Sequence, residues 1–175
     1  LLPFSYYSGK KHASGPSSVA TVSCALGDKS SIVLPDSSSV VLNSGSRLTF
    51  SNNFRGGSRQ VYLDGEAYFK IKKDPRNPFI VKTSSVKVEV LGTEFNLKAY
   101  SDEKTVTTTL VNGKLKESGD SKSIVILPNQ KLVFNRETKE MNLFQITDLS
   151  PETEWKDGRL VFRNQSLGDL KPMLE

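Results

Sequence analysis

The stretch Q-V-Y-L-D-G-E-A-Y-F-K-I-K-K-D-P-R-N-P-F-I-V-K-T-S-S-V-K-V-E-V-L-G-T-E-F-N-L-K-A-Y, residues 60–100, decides the fold class. Val61, Leu63, Tyr68, Ile71, Val81, Val86, Val88, Val90, Phe95 and Leu97 recur largely with a period of two. Side chains alternate across a pleated strand, so this period buries one face of a sheet. Turn chemistry breaks the run at Asp64-Gly65, at Asp74-Pro75-Arg76-Asn77-Pro78 and at Gly92. Proline fixes φ and donates no N–H, so two prolines three apart exclude a regular helix or central strand. Residues 73–78 therefore read as a corner fixed by Pro75 and Pro78.

The same rhythm extends in both directions. Toward the N-terminus, short strands are expected over 19–26, closed by Gly27-Asp28, and over 31–34, closed by Pro35-Asp36. Two more follow over 39–42, closed by Asn43-Ser44-Gly45, and over 47–50, before Ser51-Asn52-Asn53 and Gly56-Gly57. Beyond Tyr100, the threonines of 104–111 favour a pleated surface. Asn112-Gly113 is the strongest hairpin signal in the chain, a type I′ turn leading into 114–117. A turn at 118–121 and strands over 124–127, 131–134 and 141–146 complete the region. Strands about ten residues apart with turn signals between them indicate an all-β sandwich, barrel or solenoid. No helical period interrupts them before residue 150. The expected fold is mainly β: short antiparallel and stacked strands in a twisted sandwich, jelly-roll-like or solenoid-like.

The character changes at Asp148. Ser150-Pro151 reads as an N-cap followed by proline at the first helical position, giving one short helical turn. Trp155-Lys156-Asp157-Gly158 then returns the chain to a strand over 159–162. Ser166-Leu167-Gly168-Asp169 resembles a capping box, with Leu167, Leu170 and Leu174 at helical spacing and Pro172 opposing a regular helix. A strand and a helix after so many strands read as the truncated start of a small α+β subdomain. The expected organisation is a linker over 1–18, a β domain over 19–147, and a junction with that truncated start over 148–175.

Composition narrows the function classes. The 175 residues carry a formal charge of +5, with 36% hydrophobic and 25% charged residues; the mean hydropathy is −0.37 and the pI about 9.3. This describes an ordinary soluble globular chain, large enough for a core. Lys82, Lys87, Lys98, Lys114 and Lys116 alternate with apolar residues and read as the wet face of strands, with no run resembling a nucleic-acid stripe. One cysteine, Cys24, excludes an internal disulfide and reads as a small buried hydrophobe. The single His12 leaves no basis for a histidine metal site or a Ser-His-Asp arrangement. Residues 8–18, S-G-K-K-H-A-S-G-P-S-S, are a flexible linker by composition.

A search for chemistry along the chain finds no active constellation. Asp64 and Glu66 could form a carboxylate pair, but Asp64-Gly65 reads as a structural turn without a supporting acid. Asp148, Glu152, Glu154 and Asp157 miss the spacing of a calcium loop. Gly56-Gly57 lies between strands rather than before a helix, where a phosphate loop would be. Phe4, Tyr6 and Tyr7 near Lys10-Lys11 are too loose a cluster to read as a base-stacking platform. No cofactor is expected, and the chain reads as non-enzymatic.

Several ordered motifs carry a resemblance. Gly65-Glu66-Ala67-Tyr68-Phe69 is followed by Asp74-Pro75, by Pro78-Phe79-Ile80-Val81-Lys82-Thr83, and by 90–100, V-L-G-T-E-F-N-L-K-A-Y. Outward lie Leu34-Pro35-Asp36 with Val41-Leu42-Asn43-Ser44-Gly45-Ser46, Leu110-Val111-Asn112-Gly113, Leu127-Pro128-Asn129-Gln130, and 155–162, W-K-D-G-R-L-V-F. Together they resemble the signature of the FecR family over residues 20–175. Ser37 stands where the family has glycine after Leu-Pro-Asp, and Pro172 falls where it has a regular helix.

That resemblance implies the periplasmic sensor region of a single-pass inner-membrane anti-sigma protein of Gram-negative bacteria, with residues 1–7 at the exit of the membrane helix. It implies cell-surface signalling in iron or nutrient uptake. The partners would be the signalling domain of a TonB-dependent outer-membrane transducer and, through a cytoplasmic segment not in this chain, an ECF-type sigma factor. Neither nucleic acid nor a direct small-molecule substrate is expected. Gly65, Glu66, Tyr68, Phe69, Pro75, Pro78, Phe79, Gly92, Phe95 and Asn96 are the structural motif: turn formers, core aromatics and a fixed corner. The partner surface is expected at Trp155, Arg159, Val161, Phe162 and Arg163, where an edge strand would carry two positive charges. The alternative from another class is a carbohydrate-binding or structural β-sandwich domain.

Overall fold

The computed structural model describes residues 18–52, 54 and 59–159. Thirteen strands precede one helical turn: β1 Val19–Ser23, β2 Ser30–Val33, β3 Ser39–Leu42, β4 Arg47–Ser51, β5 Arg59–Lys70, β6 Phe79–Lys82, β7 Lys87–Val90, β8 Glu94–Ala99, β9 Thr105–Asn112, β10 Leu115–Ser118, β11 Ser123–Ile126, β12 Gln130–Asn135 and β13 Met141–Gln145. They join into one continuous sheet that folds over itself as a barrel-like sandwich. One half runs β1-β4-β5-β6-β7-β10-β11 and the other β2-β3-β5-β8-β9-β12-β13. The β5–β6 pair is parallel; the other described pairs are antiparallel.

β5 belongs to both halves, and this corrects one expectation. Asp64-Gly65 is not a turn between strands but a switch point inside a twelve-residue strand. Residues 61–64 pair with β4, whereas 65–70 pair with β8 and 67–70 with β3. At the switch the ladder is interrupted, and the Glu66 N–H donates instead to Ser46 Oγ at 2.8 Å. Gly65 has φ +115°, and a Cβ there would stand 2.6 Å from the Ser46 Cα. Only glycine lets the two backbones approach this closely.

A second correction concerns Asn112-Gly113. β9 and β10 do not pair, so no hairpin forms there. β9 lies between β8 and β12, and β10 lies between β7 and β11 in the other half. The dipeptide carries the chain across the sandwich rather than back on itself. The expected strand over 19–26 also ends early, at Ser23.

The interior is filled by Leu42, Leu48, Phe69, Phe79, Phe95, Leu97, Leu110, Leu115, Ile126, Leu132 and Phe134, all essentially unexposed. Phe69 stacks on Phe95 at 4.9 Å and meets Phe79 edge-on at 6.4 Å. Each such ring contributes about 1.5–3 kcal/mol by burial. Cys24 is buried as expected. Residues 71–78, with Pro75 and Pro78, form the connection between β5 and β6. It is pinned by Arg59, which donates to Asn77 O at 2.8 Å and Lys72 O at 2.9 Å and pairs with Asp36 at 2.8 Å.

After β13 comes α1, Ser150–Thr153, then a 3₁₀ turn, Glu154–Asp157. Ser150 is inside the helix rather than its cap: Leu149 holds that position without a side-chain bond, and the Ser150 N–H is taken by Asp148 Oδ1 at 2.8 Å. Trp155 sits in the 3₁₀ turn and Gly158 closes it with φ +80°. Arg159, the last described residue, is outside any strand. The strand expected over 159–162 and the helix after it otherwise fall outside the described residues.

Candidate functional site

Four of the motifs quoted above meet at one place on the outer face of the second half-sheet. Alternation on β8 sends Phe95, Leu97 and Ala99 inward and Glu94, Asn96 and Lys98 outward. On β5 it sends Glu66, Tyr68 and Lys70 outward, with Tyr68 directly opposite Asn96 and Glu66 opposite Lys98.

Glu66 is the centre. Its carboxylate accepts from Asn96 Nδ2 at 2.7 Å on one oxygen and from Asn43 Nδ2 at 2.8 Å on the other. The Asn43 N–H donates to the Glu66 carbonyl at 2.9 Å. Burial pushes the Glu66 carboxyl above its ordinary range, and the two amide donors and Lys98 pull it part of the way back. Asn96 then turns its other end upward: Oδ1 accepts from Trp155 Nε1 at 3.2 Å. The chain Asn43–Glu66–Asn96–Trp155 thus joins the turn between β3 and β4, the long strand β5, β8 and the segment after β13.

Trp155 is the one buried residue of α1 and the 3₁₀ turn. Two peripheral contacts steady the segment: Lys131 on β12 bonds Glu152 at 2.5 Å, and the Lys156 ammonium lies 5.1 Å from the Tyr68 ring centroid. The Tyr68 hydroxyl donates to Glu94 at 2.8 Å; burial first, then that carboxylate, drive the phenol far above its ordinary range. With one buried anchor on eight residues, this segment belongs to the low-stability end of the structure.

Both Glu66 oxygens accept from side-chain amides. Among the described residues no three His, Cys, Asp or Glu side chains are grouped to hold a metal. The arrangement can fix geometry and transmit displacement between sheet and segment.

The expected site residues divide sharply. Gly65, Glu66, Tyr68 and Asn96 are drawn to this node or its rim, while Phe69, Phe79 and Phe95 are in the core. Gly92 sits against the backbone of Lys73, and Pro75 is on an exposed corner. Arg159 is exposed, its N–H bonded to Glu154 O at 3.2 Å. Val161, Phe162 and Arg163 lie outside the described residues. The bracket formed by Glu66 was not expected: the sequence offered it as half of a doubtful carboxylate pair. Asp64, its supposed partner, points elsewhere and accepts from Ser101 N at 3.0 Å.

The family profile described as FecR protein matches residues 20–116. This chain belongs to the FecR family. Two crystal structures of a candidate anti-sigma factor from Parabacteroides distasonis are similar to it, with 29% identity and a TM-score of 0.81. They cover 90% and 89% of this chain and 73% of their own. No curated protein matches the sequence. FecR proteins are membrane-associated sensors in a non-enzymatic signalling family. No described helix is long and apolar enough to cross a membrane.

Proposed function

We propose that this chain is the periplasmic relay module of a single-pass inner-membrane anti-sigma sensor. It receives the signalling domain of a TonB-dependent outer-membrane transducer and controls an ECF-type sigma factor through a cytoplasmic segment of the same protein. Residues 1–18 serve as the membrane-proximal linker, 19–147 as the FecR-type β domain, and 148–175 as the junction into a C-terminal subdomain.

The observation that carries this reading is the Trp155 contact. Force applied beyond residue 155 reaches Asn96 and Glu66 directly, and from there the central strand shared by both half-sheets. A relay needs such a direct contact between its receiving segment and its body. Partner docking is assigned to 155–175, where Arg159 and Arg163 supply charge complementarity and Val161 and Phe162 supply apolar contact. The carbohydrate-binding alternative requires an exposed aromatic platform, and the sole tryptophan is buried.

Calorimetric titration with the transducer's signalling domain tests the assignment. Saturable binding should weaken at least about tenfold in a folded Arg159→Glu/Arg163→Glu double variant, the loss of about one well-placed charge contact. Unchanged affinity would reject the docking surface.

A further inference from the structure

The opposite outer face, on the first half-sheet, carries a second feature. Register aligns Thr49 on β4, Tyr62 on β5, Lys82 on β6, Lys87 on β7 and Ser118 on β10 in one row across the strands. Two adjoining hollows of about 260 and 290 Å³ follow this row and share Tyr62, Lys82, Thr83 and Ser84.

The polar groups around them are largely donors. Lys82 and Lys87 stand directly opposite each other, an arrangement in which like charges destabilise the strand pair. Glu89 lies 3.7 Å from Lys87, whereas Lys82 has the Tyr62 ring at 5.6 Å and no carboxylate partner among the described residues. The half-exposed Tyr62 hydroxyl accepts from Gln60 Nε2 at 2.6 Å, so its own hydrogen remains for another acceptor. Arg136 Nη1 donates to Ser84 Oγ and Ser85 Oγ, at 2.5 Å each, and its Nη2 is held by Tyr100 O at 2.9 Å. A hydroxyl that accepts from a guanidinium must also direct its hydrogen elsewhere. The lining carboxylates are engaged: Asp120 with Lys139 at 3.6 Å, Asp64 with Ser101.

We propose that the hollow bounded by Tyr62, Lys82, Lys87, Ser84 and Ser85 is a binding site for a phosphate monoester. Two ammonium groups and three hydroxyl donors match the three acceptor oxygens of such a group. Its charge also relieves the repulsion between Lys82 and Lys87. The hollow is shallow and open, so the molecule that carries the phosphate can extend outward from it. This site is separate from the Trp155 node and stands whether or not the relay reading holds.

Amide chemical-shift titration of the chain tests it, with glucose 6-phosphate, with vesicles containing phosphatidic acid, and with glucose and sodium chloride at matched ionic strength as controls. Saturable shifts at Tyr62, Ser84 and Ser85 are expected with a phosphate ester and not with the controls. The soluble ester and the vesicles distinguish a free ligand from a lipid headgroup. Lys82→Gln/Lys87→Gln should weaken binding at least about tenfold and, with the repulsion gone, should melt no lower than the parent. Ser84→Ala/Ser85→Ala should weaken it less. No saturable shift with either phosphate source, equal shifts with chloride, or undiminished affinity in the folded lysine variant would overturn the proposal.

Discussion

Replacing Glu117 by glutamine should change how stability depends on pH. Glu117 on β10 points into the sandwich, wholly unexposed, between Val88 and Ile124 on the flanking strands. One carboxyl oxygen accepts from Thr108 Oγ1 of β9 at 2.5 Å, so the group bridges the two half-sheets. The other has no partner. Burial pushes this carboxyl from an ordinary 4.5 up to about 7, against the opposing pull of Thr108. The folded protein therefore holds the proton in the window where the unfolded chain has released it, and stability falls as pH rises from about 4.5 to about 7. At about 1.4 kcal/mol per pH unit, the loss is about 3 kcal/mol. Glutamine stays neutral at every pH. Urea unfolding of both proteins at pH 5 and pH 8 measures the effect. The variant should gain about 2.5 kcal/mol relative to the parent between those pH values, because the unfolded carboxyl is already mostly ionised at pH 5. Glu66, whose carboxyl is also raised, acts equally in both proteins and cancels in the difference. Parallel pH dependences would refute the reasoning.

Two further outcomes follow from the backbone. A Cβ at Gly92 would stand 2.5 Å from the Lys73 Cα and 2.7 Å from its Cβ, so Gly92→Val should destabilise by more than about 1 kcal/mol in thermal melting, and an unchanged midpoint would show that the loop yields freely. Ser37 occupies the left-handed region at φ 69° after Leu34-Pro35-Asp36, so Ser37→Gly should raise stability by about 1 kcal/mol, again by melting, and a loss would mean that the serine side chain contributes there.

Much of the fold was legible because strand alternation is a local property. The inward sets on β3, β4, β6, β7 and β12 follow directly from their apolar periods. What local pattern could not reveal is which strand a given strand pairs with. Asn112-Gly113 has hairpin chemistry, yet the chain crosses between half-sheets there because β10 finds its partner in β7. Asp64-Gly65 has turn chemistry, yet glycine serves a close backbone approach inside β5. Ser37 shows the reverse case: it adopts the left-handed conformation that glycine favours, and the turn survives the substitution.

The node was half legible. The motifs containing Asn43, Glu66, Asn96 and Trp155 were all recognised, but as separate blocks with architectural roles. Alternation puts Glu66 and Asn96 on outward positions, where a polar residue normally meets water. Asn96 and Asn43 bond Glu66 across strands, and Trp155 closes over Asn96 from 59 residues away. Such a contact has no signature in spacing. The lysines of the opposite face were read correctly as outward, and the pairing of Lys82 with Lys87 likewise depends on register.

The most direct test of the relay is made in the full-length sensor, with a transcriptional reporter for its sigma factor. Asn96→Leu removes the acceptor of the Trp155 N–H and one donor to Glu66, while leucine retains comparable bulk. The account predicts that the ratio of induced to uninduced output collapses toward one at unchanged sensor level. An unaltered ratio in this variant would contradict it.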